Sequence, residues 1–452
     1  MNMTIFILLP FFFYLNNAYI VLPFYTKINE TEYMKNYMQA KFYNDIYVNI
    51  KVGSNKQELP VQIRLHAYCF YLANEVYKDE RYNIKKFESS KSKTYEKVKK
   101  ISSFYDEEDF AEATISKETF YFGKTTVENL PFVNVEKLIN YRHITQSGVI
   151  GLNLKKVGIT TLDEGNFYLE LKKKNLFDKN IFSITYTKDN EGYFIFGEDL
   201  YNTTESDYTE NSRKTYKIDT SYNEYEWKIT FDSLYIGTQK QPQNRLNCIL
   251  YTELGIIIGN YAFRSQIEKA FFNDKKNLCN INSFNGFGLN EEILEDLFEY
   301  YECDSSFDEK QFPTLYFENK KMNLTYELTY KDLWSQYEGK KYFLIAFPEE
   351  PSGSIHFILG KPFLRKYDFS FDRENLIIHA YDINGERYNK IWDTVWFVVK
   401  ILLVIIFIIV IILAIYVYYI KIKMPRKKRI NEIEDDFSYN PSEGKDTKLL
   451  RN

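Results

Sequence analysis

The sequence predicts a mainly β protein of two similar lobes around a central cleft, followed by one C-terminal transmembrane helix. Three observations carry this. Short, often alternating apolar runs recur between about residues 40 and 385. One of those runs is echoed in the second half, and Ile401 to Ile420 is an unbroken stretch of 20 apolar or aromatic residues. A length of 452 residues exceeds what a single hydrophobic core usually organises, in keeping with two lobes.

Runs such as Tyr47-Val48-Asn49-Ile50-Lys51-Val52, Thr119-Phe120-Tyr121-Phe122 and Lys228-Ile229-Thr230-Phe231 have the length and residue types of strands, and Gly123 closes the second as a turn residue should. Helical spacing is best in Ala262–Phe272 and Asn290–Glu302. The echo pairs Val52-Gly53-Ser54-Asn55-Lys56-Gln57 with Ile236-Gly237-Thr238-Gln239-Lys240-Gln241. Each half later carries an apolar-apolar-Gly element, Val149-Ile150-Gly151-Leu152 and Ile358-Leu359-Gly360. A repeat this far apart means two lobes rather than a solenoid, and a cleft between lobes is the default place for a ligand.

The ends fix the compartment. An apolar stretch from Thr4 to Leu15 followed by Ala18 reads as a secretory signal peptide, residues 1–18. At ~1.5 Å per residue the run from Ile401 spans the ~30 Å hydrocarbon core. Trp392, Trp396 and Tyr416/Tyr418/Tyr419 lie where interfacial aromatics belong, and Lys400 can snorkel. Lys421, Lys423, Arg426, Lys427, Lys428 and Arg429 then place the C-terminus in the cytosol by the positive-inside rule. The organisation expected is a first lobe over 19–205, a second over 206–385, a stalk over 386–394, a membrane helix over 395–420 and a cytosolic tail over 421–452.

Three glycosylation triplets, at Asn29, Asn202 and Asn323, fall in the luminal or extracellular part. Of four cysteines, Cys279 and Cys303 lie in polar, loop-like sequence and are the expected disulfide, while Cys69 and Cys248 sit in apolar runs as buried thiols. With 58 basic and 62 acidic side chains, no electrostatic reason remains to expect nucleic acid as a partner. The 40 Tyr and 37 Phe suit strands and, with abundant Asn, Lys and Ile, fit the drift of an AT-rich gene better than a special aromatic function.

Six segments in order resemble the pepsin-like aspartic proteases. Gln146–Leu154 (QSGVIGLNL) is similar to that family's D-G-I-L-G-L element, and Asn180–Tyr186 with Gly192–Leu200 to the close of its first lobe. Glu226–Gly237 (EWKITFDSLYIG) is similar to the strand opening the second lobe, and Cys303–Glu318 to its Cys-to-L-P-x-I-x-F segment. Phe357–Ala380 (FILGKPFLRKYDFSFDRENLIIHA) resembles the I-L-G-D-x-F-L-R ending, and the opening strand pair with Gln57 the entry to the first catalytic loop. The resemblance implies a bilobal acid-protease fold, a Cys279–Cys303 bridge and an endopeptidase ancestry; some members carry a membrane anchor.

It also implies two catalytic Asp-Thr/Ser-Gly loops, and here the chain departs. The first loop reads Ile63-Arg64-Leu65-His66-Ala67, with Arg64, Leu65 and His66 at the Asp, Thr and Gly positions. The second reads Leu250-Tyr251-Thr252-Glu253-Leu254, with Tyr251 for Asp, Thr252 retained and Glu253 for Gly. No Asp-Thr elsewhere, at Asp219, Asp393 or Asp446, is followed by Gly. Tyr105 falls at the flap Tyr position, but the Gly-rich tip is replaced by Asp106-Glu107-Glu108-Asp109. Only about 25 residues separate Ala18 from the first strand, short for the inhibitory prosegment of the family. Facing positions lead us to expect Arg64 to pair with Glu253 or hydrogen-bond Tyr251, or else to turn to solvent on drifted loops. His66, His143, His356 and His379 lack metal-ligand spacing, and zincin, nucleophile-elbow, phosphate-loop and dinucleotide motifs are absent from the sequence. No metal or cofactor is expected. The leading expectation is a catalytically inactive, membrane-anchored homologue binding a peptide or protein in or near the cleft. The alternatives are an active aspartic endopeptidase and a structural or receptor-type surface protein with a filled cleft.

Overall fold

In the computed structural model, the residues described are 19–26, 37–77, 84–101, 110–138, 147–154, 163–219, 226–242, 245–287, 295–349, 356–381 and 390–423. The signal-peptide segment, Tyr105 with its acidic neighbours, Asn29 and the tail beyond 423 lie outside them. The chain forms two compact units, residues 1–387 and 388–452.

The first unit is mainly β. Its first half holds β1 (Ile20–Thr26), α1 (Tyr37–Phe42), β2 (Ile46–Val52), β3 (Gln57–Arg64), β4 (Phe70–Ala73), β5 (Glu96–Ile101), β6 (Phe110–Phe122), β7 (Thr125–Leu138), β8 (Gly148–Gly151), α2 (Phe167–Lys173), β9 (Ile181–Lys188) and β10 (Glu191–Phe196). The second half continues with β11 (Arg213–Lys217), β12 (Lys228–Phe231), β13 (Ser233–Ile236), β14 (Gln239–Lys240), β15 (Leu246–Leu250), β16 (Ile257–Ile258), α3 (Tyr261–Ile267), β17 (Cys279–Phe287) and β18 (Glu295–Asp304). It closes with β19 (Leu315–Asn319), β20 (Leu324–Leu328), α4 (Tyr330–Leu333), β21 (Trp334–Tyr337), β22 (Lys340–Phe343), β23 (Ile345–Pro348), β24 (His356–Leu359), α5 (Lys361–Leu364), β25 (Phe369–Asp372) and β26 (Ile377–Tyr381).

The sequence echo becomes a repeated weave. β8 runs parallel to β3, with Ile63 opposite Ile150, and antiparallel to β4. In the second half β24 runs parallel to β15, with Ile249 opposite Ile358, and antiparallel to β16. Each weave closes on a glycine because a loop carbonyl leaves no room for a side chain. A Cβ on Gly151 would sit 2.5 Å from the Ala67 carbonyl oxygen, and one on Gly360 2.2 Å from that of Ile256. The halves are then stitched together: β25, β26 and β11 join a 13-stranded sheet in the order β11-β26-β25-β9-β10-β1-β2-β3-β8-β4-β7-β6-β5.

Aromatic side chains fill the seam. Phe182 of β9, Trp227 and Phe371 of β25 pack with ring centroids 4.8 to 5.5 Å apart, and the Trp227 indole N–H donates to the Leu152 carbonyl across the halves at 2.9 Å. Such pairs add about 0.5–1.5 kcal/mol beyond the area they bury.

Two local expectations need correction. Ala262–Phe272 is helical as read, starting at Tyr261 behind the Asn260 cap and ending in a wider turn over Glu268–Phe272. The described part of Asn290–Glu302 is not helical, since Glu295–Asp304 is strand β18. Its Leu297, Phe298 and Tyr301 mimic helical spacing, but pairing with β17 on one side and with β22 and β23 on the other wins. Cys279 and Cys303 are bonded, though not in loops: they are directly opposed residues of β17 and β18. Cys69 and Cys248 are buried thiols.

In the second unit, α6 (Lys390–Tyr418) runs on into a turn over Tyr419–Lys423, and Val399–Lys421 is long and apolar enough to cross a membrane. In the first unit, replacing Trp227 by Ala should destabilise the protein by about 3–5 kcal/mol, read by denaturant unfolding.

Candidate functional site

β3 and β15 deliver the two loops expected at the cleft floor, and the glycine-closed weaves behind them hold the loops in place. Leu152 N–H donates to the Arg64 carbonyl at 2.9 Å, Asn153 N–H to that of Ala67 at 2.8 Å, and the Asn153 amide to that of His66 at 2.7 Å. In the second half Tyr251 N–H donates to Leu359 at 3.1 Å and Lys361 N–H to Leu254 at 2.7 Å. Each loop is thus pinned by the strand that closes its own half.

Across the halves the contact is one-sided. The buried Thr252 hydroxyl donates to the Ile63 carbonyl at 2.7 Å, accepts from Leu65 N–H at 3.3 Å and lies 3.2 Å from a Glu253 carboxylate oxygen. Leu65, at the position matching Thr252, has no hydroxyl to return the bond. An imidazole–carboxylate contact takes over. His66 Nδ1 meets the Glu253 carboxylate, with the glutamate 2% and the histidine 11% exposed. The His66 ring stacks on Tyr251, centroids 4.8 Å apart and planes 16° from parallel.

Arg64 and Tyr251, at the positions expected to match the two Asp, are both half-buried. Glu253 is met by His66, two residues beyond the Arg64 expected from the template. The sequence carried that signal, since His66 and Glu253 both stand at Gly positions of the motif and those two positions adjoin. Tyr105 lies outside the described residues, but the strands flanking it, β5 and β6, pair as an antiparallel hairpin. Asn202 is exposed and donates to Glu198 at 3.1 Å, and Asn323 is exposed at the β19–β20 turn with φ 50°. Among the described residues no three His, Cys, Asp or Glu side chains converge as a metal site requires.

Sequence reading missed one group behind the second loop. Lys361 stands where the family ending I-L-G-D has its Asp, yet it is only 6% exposed. Its ammonium donates to Thr26 Oγ1 and Asn190 Oδ1, each at 2.7 Å, tying the second loop's pinning strand to β1 and to the β9–β10 turn. Burial, then the nearby Lys41 and Arg365, push it down to about 7, against a small opposing pull from Asp189.

Acid proteolysis needs a pair of like-charged carboxylates that share a proton and a water; the positions expected to match them carry a cation and a phenol, and the nearby Glu253 carboxylate is met by an imidazole. A family model for eukaryotic aspartyl protease matches residues 45–380. No curated protein matches the chain significantly.

Two measurements follow from this geometry. Glu253→Ala removes the carboxylate that meets His66 and should lower stability by about 1–3 kcal/mol, with the His66→Ala/Glu253→Ala double variant recovering part of the loss. For Lys361, the unfolded chain binds a proton up to the ordinary 10.5 while the folded one releases it near 7, so stability should climb as pH rises between those values and gain nothing from this residue below 7. Lys361→Met should flatten that climb in unfolding curves taken from pH 6 to pH 10.

Proposed function

The chain belongs to the eukaryotic aspartyl protease family, and we propose that it is a catalytically inactive member that binds a peptide or protein in or near its interlobe cleft. The observation that carries the reading is the His66–Glu253 pair under the Tyr251 ring. General acid–base hydrolysis by this scaffold needs one carboxylate as base and a second as acid around a shared water. Arg64 cannot release a proton at any working pH, and Tyr251 carries a phenol where the chemistry needs a carboxylic acid. Neither substitutes for the missing acids, while the scaffold that presents a cleft is retained. The single candidate membrane helix supports anchoring. The basic run after it supports a type I orientation, with residues 1–18 as signal peptide and Asn29, Asn202 and Asn323 as glycan acceptors. The ring stack at the floor also supports a second reading, in which the cleft is filled by the protein's own aromatics and an outer face meets the partner.

Detergent-solubilised protein incubated with a peptide library at acid pH should give no cleavage and bind no pepstatin-type inhibitor. Cleavage abolished by that inhibitor would establish the active endopeptidase instead.

A further inference from the structure

The segment that leads into and forms most of β5 carries a charge asymmetry that the floor does not use. Between residues 85 and 100 the sequence holds seven lysines and two glutamates, in a chain of net charge −4. All of these lysines but Lys86 are exposed, and β5 exposes every side chain from Glu96 to Lys100. Several described carboxylates near these lysines are already engaged. Glu88 pairs with Lys91 at 2.9 Å, Glu96 lies 3.9 Å from Lys117 and Glu136 3.5 Å from Lys97. Glu75 accepts from the Ser90 and Ser89 hydroxyls and from Ser90 N–H, and buried Glu118 accepts from Thr94. Lys85, Lys86, Lys93, Lys99 and Lys100 are left without a carboxylate partner among the described residues.

The backbone adds a second feature. β5 ends the 13-stranded sheet, so one of its edges faces no further strand among the described residues. An open edge is a template for pairing, and lysines along it, with a bulge at Lys97–Lys99, are a recognised guard against self-association. The guard is selective. A second copy brings the same positive row and is repelled, whereas an acidic strand is attracted.

We infer that β5 and the preceding lysines form a docking surface for an acidic, extended polypeptide segment. Side chains of the partner meet the unpaired lysines, and its backbone completes the ladder on the free edge of β5, which a sulfated glycan or a lipid headgroup cannot do. The surface does not depend on what the cleft binds.

The test is fluorescence anisotropy with full-length protein in a zwitterionic detergent and a labelled peptide of alternating Glu and Thr. Binding should weaken as salt rises, since exposed charges are screened beyond about 10 Å at 0.1 M. Lys97→Glu/Lys99→Glu/Lys100→Glu should lower affinity about tenfold, with the circular dichroism spectrum unchanged and the matching Lys→Gln triple variant in between. Bound peptide should slow hydrogen exchange of the 96–101 amides. Absence of binding, equal binding of a Lys-Thr peptide, or affinity untouched by charge reversal would overturn the proposal. So would binding without amide protection, or tighter charge-dependent capture of heparin, which would make the surface a glycan site.

Discussion

Two backbones can meet at the floor of this fold only because Gly151 and Gly360 let a strand lie against a loop carbonyl with no Cβ between them. Everything at the site inherits that constraint. The strands fix the loops, the loops fix Thr252 against Ile63 and Leu65, and that contact brings His66 under Tyr251 and against Glu253. The scaffold has thus kept the part of its architecture that costs most to rebuild, while the side chains it presents have changed in kind. Close backbone approach is a steric requirement with no substitute residue. The side chains at the tips answer only to chemistry and local packing.

The change of side chains alters the electrostatic balance of the seam. A pair of acids brought together repels unless one stays protonated, so such a floor is strained by design. Here an imidazole meets the buried Glu253 carboxylate and stacks on a phenol ring, so the contact joins the halves where two acids would push them apart. Lys361 works in the other direction. It places a cation among Lys41 and Arg365 with Asp189 as the opposing charge, and burial makes its charged form expensive. The hydrogen bonds to Thr26 and Asn190 hold the amine in spite of this. The seam therefore combines an imidazole–carboxylate contact with the unfavourable burial of an amine.

Much of this was legible in the sequence, for reasons that can be named. The echo of Val149-Ile150-Gly151 in Ile358-Leu359-Gly360 reports a backbone need, and backbone needs leave signatures in residue type. The helix long and apolar enough to cross a membrane was equally plain, because a bilayer sets both length and polarity. Glu295–Asp304 was misread because local spacing of Leu297, Phe298 and Tyr301 fits a helix, whereas its strand identity comes from partners in other parts of the chain. The opposed position of Cys279 and Cys303 depends on the same pairing. His66 and Glu253 were singled out, but as flanking residues; which of Arg64 and His66 takes the carboxylate depends on side-chain direction, not on spacing. Lys361 was visible as a departure within a matched segment, and only its burial gives it meaning.

The 13-stranded sheet has a temporal consequence. β1, the first strand described, is hydrogen-bonded to β10 some 170 residues later, and β9 beyond it pairs with β25. A ribosome delivers these partners in order, so β1 must remain unpaired along one edge until β10 has emerged, and the sheet stays incomplete until β26 follows. Closure of such distant pairings is slow and leaves apolar edges open meanwhile. Maturation of the first unit is thereby tied to synthesis of almost the whole chain, with the apolar helix α6 the next element to leave the ribosome.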